Sequence, residues 1–437
     1  MIPNALPNAI RALAAIALIA ASPAPAQEVE FGPGLRSLDF AEVFDTSVPA
    51  RAQMWDAFHD AGIRHIVLSQ GLVSPFAPDR SKRPAGTYIA DRELADLRAT
   101  LNRGAAPDDD FHVTYVGGYG LAPDVCRMRA TPAEIGIAAA EWEFTRIVSR
   151  LLDAGLPVRT IDIDGPFLRV IDGARKGFSC ALTSDSPAFD TTQSAEIVLS
   201  YMKHLRDLTD AHATNRAAGV NVGMTLLINL PNWRVGRYPP LASGAETGDL
   251  VAEILPAFGA AMRADTDRPL ALDGAVIDYP YPLARDDTAA FIAKSEGLLA
   301  GLRALPRTRP RLAYFTNTHY RLTPSETDDR YRAYGGTVRC VWSENWRISG
   351  GSLPYLPYEN ANGAKMPADC IAQQNQADAR YWDESALFAN RILSGDWLGR
   401  TVTRADISAV RFMSWHEMPA SSLSTMNRTL RFKLYGN

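Results

Sequence analysis

The chain reads as a (β/α)8 barrel, and three observations predict it. Eight apolar strand-like runs alternate with helical stretches, the 437-residue length fits one such barrel, and the long connections follow strands rather than precede them. Leu35 to Phe44 is expected as the first strand, followed by a helix from Ala50 to Ala61 and, past Gly62, a second strand from Arg64 to Leu68. Phe111 to Gly117 is the third strand. Pro132 to Leu152 has the spacing of a long amphipathic helix, with Thr131 as its N-cap and Gly155 beyond its end. Thr160 to Asp164 follows as the fourth strand. A helix from Ser194 to Ala213 leads to Val220 to Asn229, the fifth, and a helix from Asp249 to Met262 to Gly274 to Asp278, the sixth. A helix from Thr288 to Leu305 precedes Arg311 to Thr316, the seventh, and one from Asp378 to Leu393 precedes Ala409 to Trp415, the eighth.

A doubly wound open sheet is the competing fold. It would carry a glycine-rich phosphate loop after its first strand, and Gly117-Gly118-Tyr119-Gly120 lacks that spacing. The long segments Phe167 to Gln193, Leu230 to Gly248 and Tyr320 to Asn375 all follow strands, so they belong to the carboxyl-end face, where barrel chemistry is done.

Arg11 precedes the apolar run Ala12 to Ala21, and Ala24-Pro25-Ala26 offers the small residues that signal peptidase reads. Residues 1–26 are therefore expected to be a signal peptide, and residues 27–437 a single catalytic barrel in the periplasm or outside the cell. A net charge of -4 offers no basic field for nucleic acid, and no membrane anchor is expected once the signal is cleaved. Four cysteines in an exported chain favour two disulfides, and proximity in sequence favours Cys126 with Cys180 and Cys340 with Cys370.

Chemistry concentrates at strand ends. In Thr160-Ile161-Asp162-Ile163-Asp164-Gly165-Pro166, alternation puts Asp162 and Asp164 on one face, and Gly165-Pro166 then stops the strand. Asp278 closes the sixth strand before Tyr279-Pro280-Tyr281-Pro282, and Glu417 follows the eighth. Asn229 lies at the end of the fifth strand, and Asn317 and His319 just past the seventh, as neutral hydrogen-bonding groups. Trp233, Tyr279, Trp342, Trp346 and Trp415 add flat rings suited to the apolar faces of sugars, and Glu344 lies between two of the tryptophans. The same residue types also cap helices, brace loops and fill cores. Read as a site, they form a cleft for a poly- or oligosaccharide. Asp164 and Asp278 are the working carboxylates, Asp162 the neighbour that orients or perturbs Asp164, and Glu417 and Glu344 substitutes.

No cofactor and no metal is called for. The serine-hydrolase elbow, the phosphate-binding P-loop and the zinc-binding His-Glu-x-x-His helix are all missing from the sequence. The alternatives are a non-catalytic glycan-binding barrel, or a metal-dependent phosphodiesterase or lyase in which His319 and His416 join Asp162 and Asp164.

On these residues the chain resembles secreted (β/α)8 glycoside hydrolases over most of Phe31 to Trp415. Ile161-Asp162-Ile163-Asp164 is similar to the Asp-x-Asp part of the chitinase-type fourth strand, with Pro166 where that family carries its catalytic Glu. Aspartates after strands four and six resemble the α-galactosidase and α-glucosidase clan. That resemblance implies Asp164 as nucleophile and Asp278 as acid/base.

Overall fold

The computed structural model describes residues 28–34, 40–77, 81–83, 86–101, 110–121, 131–171, 189–230, 247–317, 368–415 and 422–436. Eight parallel strands close into a barrel in sequence order. They are β1 (Glu28–Phe31), β2 (His65–Ser69), β3 (His112–Gly117), β4 (Val158–Asp164), β5 (Gly223–Asn229), β6 (Gly274–Asp278), β7 (Leu312–Phe315) and β8 (Ile407–Phe412). Seven of these fall within a few residues of the sequence expectation. The first does not: β1 is Glu28–Phe31, and Glu42–Phe44 is a single 3-10 turn. β1 is four residues long and turns two glutamates into the barrel, so its sequence does not look like a core strand.

The helices form where their caps predict. Thr131 and Glu134 make a reciprocal capping box at the start of Pro132–Glu143, and Glu134 Oε2 accepts from the Thr131 backbone N at 2.8 Å. That stretch continues through a π-turn at Phe144–Val148 to Asp153, and Gly155 ends it with a φ of +80°. The helices Asp91–Leu101, Pro166–Ile171, Tyr281–Asp286 and Ser422–Tyr435 were not expected. Pro166 opens one of them and Pro282 is the second residue of another; the prolines that break a strand are equally suited to the first turn of a helix. All four cysteines, Cys126, Cys180, Cys340 and Cys370, lie outside the described side chains, as do the signal segment and the greater part of the three long connections. No described helix is long and apolar enough to cross a membrane.

Alternation divides each strand between two cores. Outward residues such as Ile161, Ile163, Ile277, Tyr314 and Phe412 pack under the helices, while Val67, Val116, Leu227, Val276, Ala313, Phe315, Ala409 and Met413 fill the barrel. Strands in such a barrel tilt, so residues at one height advance two positions on every second strand. From Ser69 the pairings run through Val116 to Asp162, and two residues on is Asp164. The same step leads through Leu227 and Val276 to Asp278, then through Phe315 and Arg411 to Met413. It returns to Ser69 past Gly32, where a Cβ would sit 2.7 Å from Met413 Sδ and 3.0 Å from the Val67 carbonyl. The uppermost inward layer of the even strands is therefore Ser69, Asp164, Asp278 and Met413. Two positions down, the even strands supply Val67, Asp162, Val276 and Arg411.

Arg411 reaches across that lower layer. It donates to Asp162 Oδ2 at 2.6 Å and, through Nε, to Glu30 Oε2 at 2.7 Å. The Thr225 hydroxyl satisfies Asp162 Oδ1. All three charged residues are buried. Burial alone would favour neutral Arg411, but Asp162 and Glu30 outweigh it and raise its proton affinity above the ordinary value. Removing the cation leaves two carboxylates in a dry interior. Arg411→Met is accordingly expected to lower stability by about 3–5 kcal/mol in urea titrations. Adding Glu30→Gln and Asp162→Asn to that variant should recover part of the loss, and no recovery would mean that the triad is not held by charge.

Candidate active site

Of the residues expected at the site, the barrel brings Asp164, Asp278, Asn229, Asn317 and Trp415 to one mouth. Asp162 lies one even layer below, committed to Arg411 and Thr225 rather than to Asp164. Burial raises the Asp162 proton affinity and Arg411 opposes that. Tyr279 is corrected from substrate contact to packing residue. It directly follows inward Asp278, so alternation turns it outward, where it lies edge-on to Phe291 at 5.0 Å and only 4% exposed. Glu417, Glu344, Trp233, His319, Trp342 and Trp346 lie outside the described residues.

Asp278 is 2% exposed. Its Oδ2 accepts from Asn229 Nδ2 at 3.0 Å, and its Oδ1 has no hydrogen-bond partner among the described residues. Burial, reinforced by the negative charge of Asp164, pushes its pKa up to about 7. Asn317, Asn229 and the Trp415 indole favour the charged form and pull back against that rise. Trp415 is fixed by stacking on Phe315, with ring centroids 5.2 Å apart and planes 5° from parallel.

Asp164 has a different environment. Gly165, at φ +51°, turns the chain into the helix Pro166–Ile171, which brings Arg169 back over the strand end. The Arg169 guanidinium donates to Asp164 Oδ2 at 2.5 Å and to the Asp164 carbonyl at 2.6 Å. The Asp164 side chain keeps 31% of its surface exposed, so it is open to the mouth while Arg169 holds one side. Sequence reading missed Arg169. Its signal was a basic residue in the first turn and a half after a Gly-Pro break.

Behind Arg169 stands the loop that follows β3. Gly118 has a φ of +127°, and a Cβ there would sit 3.1 Å from Arg169 Nε and 3.2 Å from the Asp164 carbonyl, so only glycine lets the guanidinium lie this close. The loop is clamped by buried Glu143, which accepts from the Gly118 N at 2.9 Å, the Gly120 N at 2.5 Å, the Tyr115 hydroxyl at 2.7 Å and the Tyr201 hydroxyl at 2.5 Å. Burial and the Glu143 charge push both tyrosines well above their ordinary range, so they remain donors. The glycine cluster that lacks a nucleotide-loop spacing thus serves as a carboxylate-clamped brace.

At the opposite mouth, Glu28, Glu30 and His65 bring three potential ligand atoms within 4.8 Å of one another. Glu30 already pairs with Arg411, and His65 Nε2 lies 3.1 Å from Glu28.

The chain matches no protein-family model and no curated protein. Among solved structures it is similar to the endo-beta1,6-glucanase BT3312, at 13% identity and a TM-score of 0.33, over 67% of this chain and 58% of that one. It is also similar to a beta-galactosidase from the psychrophilic Marinomonas ef1, at 11% identity and a TM-score of 0.33, over 84% of this chain and 60% of that one. An F420-dependent secondary alcohol dehydrogenase matches at 9% identity and a TM-score of 0.34, over 93% of this chain and 97% of that one. Matches this distant carry no argument for a reaction.

The buried acid makes stability depend on pH. Asp278 titrates near 7 in the folded chain and near 4 when unfolded. The stability contributed by its neutral form is therefore full below about pH 4 and is lost as pH rises through about 7. Asp278→Asn is always neutral, so its stability relative to wild type should improve between about pH 4 and about pH 8, by up to about 4 kcal/mol. Urea titrations at both pH values would measure this, and a difference that stays constant with pH would contradict it.

Proposed function

We propose that the chain is an exported glycoside hydrolase acting on a poly- or oligosaccharide, with Asp164 as nucleophile and Asp278 as acid/base. The observation that carries this reading is the contrast between two carboxyl groups in one barrel layer. One is buried with its pKa pushed up to about 7, and the other is partly exposed against a guanidinium. Pairs of carboxyls in contrasting environments are what acid/base assignment in glycosidic cleavage requires.

In the first step an Asp164 oxygen attacks the anomeric carbon, the bond to the glycosidic oxygen breaks, and Asp278 gives its proton to that oxygen. Asp278, now charged, has Asn229 donating to Oδ2, with Asn317 and Trp415 also favouring the anion. Water then attacks the glycosyl ester and returns a proton to Asp278, releasing Asp164. Arg169 orients Asp164, which attacks in the first step and leaves in the second, and Trp415 offers a ring face at the mouth to the apolar side of a sugar. The exported setting expected from the amino-terminal segment supports a polymer outside the cytoplasm as substrate.

The Asp164–Arg169 ion pair also favours a second reading, a glycan-binding barrel without turnover, because an ion pair occupies part of the attacking carboxylate. Hydrolysis separates the two. The mature chain should release reducing ends from at least one polysaccharide in a bacterial and plant panel. Asp164→Asn and Asp278→Asn should each cut that turnover by several orders of magnitude without unfolding the protein. The wild-type rate should fall as pH rises above about 7, where Asp278 loses its proton. Binding without turnover would select the second reading, and turnover that survives both substitutions would refute the assignment.

A further inference from the structure

Ser69 ends β2 and occupies the same inward layer as Asp164, Asp278 and Met413. It is fully buried, and its Oγ has no hydrogen-bond partner among the described residues. A hydroxyl that has left water without a replacement partner destabilises the fold, and alanine or valine would fill the position at no such cost. The one other orphaned polar atom of this layer is Asp278 Oδ1. β2 and β6 are four strands apart in a closed barrel of eight, so these two atoms occupy opposite sides of the mouth. The other diagonal is Asp164 and Met413, a carboxylate facing a thioether.

That arrangement has a definite chemical preference. Three sides of the layer are polar and the fourth is apolar, which matches a pyranose-like ring with hydroxyls around its edge and C–H bonds on its face. A serine hydroxyl both donates and accepts, so it complements another hydroxyl better than it complements a charged group. Thr225, an inward hydroxyl of β5, is committed to Asp162 below.

We propose that Ser69 is a specificity-determining residue of this mouth, its Oγ hydrogen-bonding one ring hydroxyl of the sugar held between Asp164 and Asp278. The inference rests on the glycosidase reading for the kind of ligand, but not for turnover. A site that must pair a buried hydroxyl rejects ligands lacking the matching group more strongly than an apolar site rejects a misfit. Ser69 would therefore discriminate among sugars by the presence and orientation of one hydroxyl rather than by size.

The test uses the full mature chain and 4-nitrophenyl α- and β-glycosides of the common hexoses and pentoses, together with their monodeoxy counterparts. Calorimetry reads binding, and release of 4-nitrophenolate reads hydrolysis. Ser69→Ala is expected to keep or raise the thermal midpoint, because it removes an orphaned polar group. It should weaken the best glycoside about tenfold. One deoxy position should cost wild type the same factor and cost Ser69→Ala nothing further, the signature of two partners in one contact. Should the variant fold poorly, the deoxy series on wild type decides, since tolerance of every deoxy position overturns the proposal. Binding by Ser69→Ala equal to wild type overturns it too, while leaving any hydrolysis intact. Binding without release of 4-nitrophenolate leaves Ser69 to be judged by the calorimetry, while the polysaccharide panel judges turnover. Wild type that binds no glycoside of the panel overturns the Ser69 proposal and leaves the glycosidase reading to the polysaccharide panel.

Discussion

Arg411 bridging the barrel to Asp162 is the interaction on which the rest of the interior is built. Two carboxylates and a guanidinium taken out of water are stable only when each hydrogen bond is made, and here the three groups come from β1, β4 and β8. Satisfying them fixes the stagger between strands on opposite sides of the barrel. The same stagger decides which residues share the layer above, Ser69, Asp164, Asp278 and Met413. A slip of one residue in β4 would turn both its aspartates outward under the helices.

The upper layer then divides labour through its surroundings. Burial and the charge of Asp164 raise the proton affinity of Asp278, and the Asn229 amide donates to its Oδ2. Asp164 sits where the chain breaks and returns a guanidinium. The support for that guanidinium extends outward through Gly118 to Glu143 and the tyrosines that hold it. One face of β4 thus carries two aspartates two residues apart, Asp162 tied to Arg411 and Thr225 below and Asp164 to Arg169 at the mouth.

Much of the barrel was legible because β2 to β8 announce themselves by apolar runs with glycine or proline breaks, and the fourth and sixth strands end where their breaks say. β1 was not legible, because its inward positions are glutamates whose partners are far away in sequence: Arg411 is 381 residues from Glu30. The same difficulty hid the true role of Asp162, whose partner is on β8. Tyr279 was misplaced because its position next to a strand-end aspartate says nothing about which way the ring turns. Alternation does, and it turns the ring outward. Arg169 was passed over because Gly165-Pro166 was read as the end of structure rather than the start of a helix. Ser69 gave no signal at all, since only layer geometry distinguishes it from other strand-end serines.

Burial and the charge of Asp164 together push the proton affinity of Asp278 toward neutral pH, and the proposed chemistry depends on that shift. The direct measurement is a carbon-13 carboxyl titration of Asp278 in the whole protein, repeated with Asp164→Asn. A midpoint near 7 in wild type, moving down when Asp164 is neutral, is the predicted result. A wild-type midpoint near the ordinary aspartate value of about 4, or one that ignores the loss of the Asp164 charge, would contradict it.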